Sequence, residues 1–399
     1  MPDQELPKLS NYRWVILAVV ALMDMTSNYV QFQVSALATT IMPDLQISTA
    51  QFSSLLMAPM LIAVFLSISG GSLGDKFGPK KVVTVGLVIS VLGAFGRMFA
   101  QNFTSMMVML LLFGVYMALL NANVIKILGT WFKQDTNIAM GVFFSSASVG
   151  ITLSQLTNSF FPSVKAAYIF SSCVLLVLAI CWVLLVKDMP AGEPVPQPEP
   201  TTKYLGVAAK SKKTWLVAFC GGIGTAATMS FTGILPQALI NAKGLPAPTA
   251  GAIASVATIG SLLGALIGPA IVRKVRHAKP IMLTMVLISA LSMFIVWFLP
   301  IGGILVADLI LGGLFGASTG PILQGMVISF PEIGPKYAGS AGGIVGTVSL
   351  LLSYILPVII SALVGQNFTL TFMVQALMVA ATAIFVIILP DANRQLLKQ

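Results

Sequence analysis

Asp24 is the residue whose chemistry most needs explaining. It stands ten residues past Trp14, inside an unbroken apolar run. At ~1.5 Å per helical residue it lies about 15 Å along that run, near the middle of a bilayer's hydrocarbon core. An ionisable group at that depth is costly and marks a functional candidate. Asn28 and Gln31 follow at i+4 and i+7, so they share its helix face. A carboxylate with amides beside it, out of water, suits the uptake and release of a proton. The plainer alternative is a structural aspartate bonded to a neighbouring helix.

Lys126, with Asn123 one turn before it, is the matching cation. It suits an anionic solute or a carboxylate partner; alternatively it snorkels about 7 Å to the membrane surface. Asp308 lies in the outer part of a later apolar run and is a candidate for an outer gate or a cation-attracting entrance. Further polar candidates within the apolar runs are the neutral Thr225, Thr228, Gln237, Ser318, Thr319 and Gln324, with Tyr29, Phe32 and Tyr354 as aromatic candidates. Each alone is weak, because Ser and Thr in membrane helices often bond only their own backbone. Arg97, four residues from the end of its run, reads as a snorkelling or structurally paired side chain.

Other chemistry finds no support. Cys173, Cys181 and Cys220 sit in apolar stretches without metal-ligand spacing, and His277 is the single histidine. No metal or cofactor is expected. No paired histidines, nucleophile motif or clustered membrane acids point to an enzyme. No Gly-x-x-x-x-Gly-Lys-Ser/Thr loop is present, so ATP is not the expected energy source.

The elements that must position these residues follow from composition. The 399 residues are 57% hydrophobic and 9% charged, against about 25% charged in soluble domains. Lipid is therefore the solvent. Apolar runs predict twelve spans: 14–39, 51–74, 80–100, 104–130, 136–160 and 165–186, then 214–240, 249–272, 279–299, 302–329, 336–364 and 369–389. The first run is too long for a signal-peptide core and is expected to be retained. The expected fold is an all-α membrane protein of two six-helix bundles, 1–186 and 214–399. An extended, solvated linker, 187–213, rich first in proline and then in lysine, separates them.

The halves repeat. Ala63-x3-Ser67-x3-Gly71 in the second span matches Gly260-x3-Gly264-x3-Gly268 in the eighth. Gly141-x3-Ser145 in the fifth matches Gly339-x3-Gly343 in the eleventh. Small residues four apart make smooth faces for close helix approach, and two pairs at nearly one offset indicate a duplication with pseudo-twofold symmetry.

Charge placement sets the orientation. With the N-terminus inside, 19 of the 22 Lys and Arg residues fall on the cytoplasmic side, all but Lys165, Lys243 and Arg97. Both termini are then cytoplasmic. The net charge of +10 serves topology and anionic lipid and gives no reason to invoke nucleic acid. A multi-pass protein of the plasma membrane is expected, with a monomer as the working unit.

Between the second and third spans runs Gly71-Ser72-Leu73-Gly74-Asp75-Lys76-Phe77-Gly78-Pro79-Lys80-Lys81. Gly78-Pro79 breaks one helix and starts the next, the lysines hold the loop inside, and Asp75 is the odd charge. In this setting the string resembles the signature loop of the major facilitator superfamily of membrane transporters. The match rests on Gly71, Leu73, Asp75, Gly78, Lys80 and Lys81; Pro79 replaces a basic residue. The resemblance implies that Asp75 helps latch the two halves on the cytoplasmic side, and that the spans bearing Asp24, Lys126, Thr225 and Asp308 line a central cavity. The equivalent second-half stretch, Gly268 to Lys274, lacks the aspartate, so the latch is expected to be one-sided.

The function this implies is secondary transport by alternating access, proton-coupled, with a small organic anion as solute. Asp24 and Lys126 would pair when the proton leaves, giving two states that proton and solute both bias. The runner-up is proton-coupled efflux of amphiphilic compounds, to which the 20 methionines lend an adaptable apolar cavity. The fifth span lacks the Gly-Pro-x-x-Gly-Gly ending of many drug/proton antiporters and the doubled Gly-Asn signature of nitrate porters, which weakens both assignments.

Overall fold

The computed structural model describes residues 10–190, 201–275, 277–328, 330 and 332–391. Twelve of its helices are long and apolar enough to cross a membrane. In the first half these are α1 (Arg13–Ala36), α3 (Thr49–Phe77), α4 (Pro79–Gly96), α5 (Phe103–Phe132), α6 (Thr136–Thr157) and α7 (Val164–Leu185). The second half supplies α9 (Lys212–Asn241), α10 (Ala247–Arg273), α11 (Ala278–Ile295), α12 (Gly303–Ile328), α13 (Gly334–Val364) and α14 (Phe368–Ile388). Two further helices, α2 (Ala38–Leu45) and α8 (Thr201–Lys210), are not spans.

Local chemistry sets the boundaries. Ser48 with Gln51, and Asn102 with Ser105, form capping boxes that start α3 and α5. Gly78, at φ 88°, ends α3 in a conformation that favours glycine, and Pro79 takes the first turn of α4. Two expectations need correction. The first predicted span turns at Leu37 into α2, which Gln46 ends in the left-handed region at φ 52°. The predicted linker is not extended throughout: 201–210 is helical. The crowded prolines end at Pro200, and beyond them Ala208 is fully buried as α8 packs on α13. Its proline-rich part, 191–200, lies outside the described residues.

The halves are built alike. In the first, α3 packs on α5 and α1 on α6; in the second, α10 packs on α12 and α9 on α13. The glycine stripe of α10 is used for this contact. A Cβ at Gly260 or Gly264 would collide with the carbonyls of Ile310 or Leu314, and one at Gly268 with Ser318. In the first half, Gly70, Gly74 and Gly114 allow the equivalent approach of α3 and α5, rather than the expected face through Gly71. A second correspondence is unexpected. Three residues past α7, Asp188 accepts the backbone N–H of Lys80 at 2.6 Å; three residues past α14, Asp391 accepts that of Ala278 at 3.0 Å. Each half thus ends on an aspartate that caps its own third span.

The halves meet across α3–α13 and α6–α10. Their bonds gather at the end away from the Asp75 loop, here the far side. Ser35 Oγ donates to Gly233 O at 2.6 Å and Gln155 Nε2 to Thr232 O at 3.1 Å. The hydroxyls of Ser53 and Ser361 pair at 2.6 Å, as do those of Thr152 and Thr258. Towards the latch side, Gly141, Gly342, Gly343 and Gly346 face open space where a Cβ would point. The predicted Gly141 and Gly343 faces are therefore unpacked in this state, which is sealed on the far side and open on the other.

Candidate functional site

The buried apolar side chains of the second half form one continuous cluster. Those of the first half divide into two, and a polar stratum of α1 runs between them. Asp24, Thr26, Ser27, Asn28, Gln31, Gln33 and Ser35 are all buried there. Such groups must find partners. Asp24 accepts from Ser146 Oγ on α6 at 3.0 Å through Oδ2, and from Asn28 Nδ2 at 3.4 Å through Oδ1. Both partners are neutral. Asn28 also holds the backbone carbonyl of Asp24, at 2.9 Å. Beside them Ser27 and Tyr116 share a short hydroxyl contact, and Tyr116 donates to Met23 O at 3.0 Å. Gly150 lets α6 lie against the Met25 carbonyl, where a Cβ would collide. Gln31 turns away, donating to Leu56 O on α3 at 3.0 Å.

Lys126 does not join this group. Its Nζ reaches Asp75 Oδ1 at 2.5 Å and Gly71 O at 2.7 Å. Asn123, a turn earlier, donates to Gly70 O at 3.0 Å and Leu119 O at 2.8 Å. Both residues clamp α5 onto the latch end of α3. The expected pairing of Asp24 with Lys126 is not present: each has other partners. Asp75 is engaged within its own half, and the rest of the loop is held from the same half, with Lys80 N–H on Asp188. Lys81 is exposed.

A cavity of about 350 Å³ opens between α6 and the second half. Thr225, Thr228, Thr319 and Gln324 are among its lining residues. Sequence reasoning missed Phe144, Ser148 and Ile151 from α6 and Ser289 and Ser292 from α11. Among the described residues no charged side chain lines it, and Asp24, Asn28 and Gln31 are not part of it. Asp308 sits just behind: its backbone carbonyl accepts from Ser292 Oγ at 3.0 Å, and its buried Oδ2 has no partner among the described residues.

The same helix therefore faces three ways. α6 gives Ser146 to Asp24, Ser148 and Ile151 to the cavity, and Thr152 and Gln155 to the far-side seal. Ser146 was in plain view in the sequence, but a serine in an apolar run signals a partner only once the facing helix is known.

Of the two expectations for Arg97, the structure supports the structural pairing and not the snorkelling. It is 1% exposed, so it does not snorkel. It donates to Ala94 O, Val30 O, Gln33 Oε1 and Ser171 Oγ at 3.2–3.3 Å. Its guanidinium lies 4.4 Å from the centre of the Tyr168 ring, a cation–π contact. These partners are neutral.

The whole arrangement, two similar halves around a cavity with the Asp75 loop at one end, defines a transporter fold. The family model of the Major Facilitator Superfamily matches residues 15–357, and this chain belongs to that family. A bacterial homolog of the human lysosomal transporter Spinster, solved inward-facing and unoccupied, superposes with a TM-score of 0.72. It is 14% identical, over 98% of each chain. Among sequence relatives, a probable nitrate/nitrite transporter, NarK2, of Mycobacterium tuberculosis is 22% identical over 59% of this chain and 60% of its own length. A hexuronate transporter of Bacillus subtilis is 25% identical over 39% of this chain and 38% of its own. The chain thus spans about three fifths or less of the curated relatives it matches.

Proposed function

We propose that this protein moves a small organic anion across the plasma membrane by alternating access, coupled to protons, with the latch loop and both termini on the cytoplasmic side. The observation that carries the coupling is the position of Asp24. Its buried carboxylate is held by neutral donors, and one of them, Ser146, stands on the helix that also walls the cavity and closes the far-side seal. A proton arriving at Asp24 changes what Ser146 bonds to and so biases how α6 sits, which is the differential interaction that a two-state equilibrium requires. Asn28 keeps the carboxyl oriented.

Solute recognition falls to the cavity. The hydroxyl of Thr225 and the amide of Gln324 offer donors to an anion, since hydrogen bonds to charged groups are the stronger kind, while the hydroxyls of Thr228 and Thr319 donate to carbonyls of their own helices. A proton taken up on Asp24 with each singly charged anion adds no net charge to the site, which suits walls without a lysine among their described residues. The relatives' named solutes, nitrate/nitrite and hexuronate, are anions and support this class. Lys126 acts at the latch, with Asp75, rather than on the solute. The uncharged lining also favours a second reading, export of amphiphilic compounds.

A melting-temperature panel of small carboxylates, inorganic anions, neutral solutes and lipophilic cations, each at two pH values, separates the two. A ligand that binds only the folded protein raises its apparent stability. The expected result is stabilisation by one anion class, larger at the lower pH. Stabilisation by lipophilic cations alone transfers the assignment to export of amphiphiles.

A further inference from the structure

A second cavity, of about 510 Å³, lies outside the transport site in the far half of the first bundle. It opens between α1, α6 and α7, and its walls include Met25, Leu153, Phe161 and Val174. The polar groups in it are mostly committed. Tyr29 and Thr157 share a hydrogen bond of 2.9 Å, and Ser171 is bonded to Gln33; only Thr26 keeps a hydroxyl without a partner among the described residues. The mouth is flanked by Phe160 and Phe170, 74% and 48% exposed, so the cleft is continuous with the lipid-facing surface.

Its depth identifies what fills it. One end lies at Phe160 and Phe161, just past the far end of α6. The other lies at Val174, ten residues into α7, which at ~1.5 Å per residue is about 15 Å further in. That is half of a hydrocarbon core of about 30 Å, or one leaflet. Water does not fill an apolar cavity of this kind, and an empty one forfeits dispersion contacts along its whole lining. Hydrocarbon is the available filler.

We propose that the cleft is a binding site for one acyl chain of a lipid in the far-side leaflet. The chain enters beside Phe160 and Phe170 and ends against Met25, where α6 meets α1 next to Asp24. The bound chain is thereby in position to brace the α1–α6 contact. This rests on the membrane-spanning fold and not on the proposed solute or proton coupling.

The test uses the full chain in nanodiscs containing phosphatidylcholine with a diazirine near the end of one acyl chain. After photolysis, adducts are mapped by peptide mass spectrometry. They are expected to concentrate at Met25, Leu153 and Val174, above the level at Leu184 and Leu377, which are 72% and 67% exposed to lipid on open helix faces. Val174→Trp, or Leu153→Trp if the first does not fold, fills the cleft; it is expected to abolish the cleft adducts and leave those at Leu184 and Leu377 unchanged. Wild-type cleft labelling no higher than at Leu184 and Leu377 would overturn the proposal, as would cleft labelling that survives the filling substitution.

Discussion

Two ionisable side chains in the first half, Asp24 and Arg97, are both buried and both held by neutral partners, yet they call for different roles. Arg97 spreads its donors over α1, its own helix end and α7, with a ring face above it. It works as a tie. A lysine carries a compact ammonium in place of a planar fork and cannot reproduce those directions. Arg97→Lys should therefore lower stability by about 2 kcal/mol, seen as a lower melting temperature with solute affinity unchanged; an unaltered melting temperature would reject the tie. Among the described residues Asp24 has one hydrogen bond to a neighbouring helix, from Ser146. Its depth and its alignment with Asn28 were legible from spacing alone. Its partner was not, because periodicity gives the phase of one helix and never that of the helix it faces. The same limit explains Lys126: its neighbours on α5 were readable, but that α3 brings Asp75 within 2.5 Å was not.

At the scale of elements, apolar run length located all twelve spans, because a bilayer imposes one length on every crossing helix. It overlooked α2 and α8, which no bilayer constrains and which are decided by a turn at Leu37 and by contact with α13. The small-residue stripes were half legible. That of α10 is a true packing face, while Gly141 and Gly343 face space in this state. The paired caps went unseen, since a carboxylate 108 residues from the N–H it accepts leaves no local signature. Gly78 has no side chain with which to cap α4, so Asp188 does it. Removing a capping side chain costs about 1 kcal/mol. Asp188→Ala and Asp391→Ala should each lower the melting temperature by that equivalent, and the double variant should show the sum, because the sites share no partner. A neutral result for Asp188→Ala would show that the cap does not hold α4. At the base of α9, burial would raise the Glu332 carboxyl, but a backbone bond, Lys213 and Ser211 outweigh it and hold it below its ordinary value. Its contribution to docking that loop is present at neutral pH and is lost as pH falls through the lowered value. Acid should therefore raise hydrogen exchange around 332–336, and Glu332→Gln should remove that pH dependence.

For the whole molecule, the far-side seal is made of neutral hydrogen bonds and close backbone approach. Gly251 lies against Gln155 O so tightly that a Cβ would collide. Gly251→Leu should force the seal apart and favour the state open on the far side. Ser53, buried beside Ser361, reports it. A cysteine placed at position 53 should react with a membrane-impermeant maleimide faster when Gly251→Leu is also present. Equal rates would mean that the α6–α10 approach does not control the seal. The seal described here has no ionised member, so its opening should depend little on salt, unlike contacts between exposed charges.

These scales converge on one claim, that a proton on Asp24 is coupled to solute movement through α6. The direct measurement is proton movement driven by a solute gradient in proteoliposomes, followed with an internal pH dye and using the anion that stabilises the protein most. Wild-type protein should move protons with the solute and also exchange labelled for unlabelled solute. Asp24→Asn should keep the exchange and lose the proton movement. Solute-driven proton movement that persists in Asp24→Asn would contradict the account at its centre.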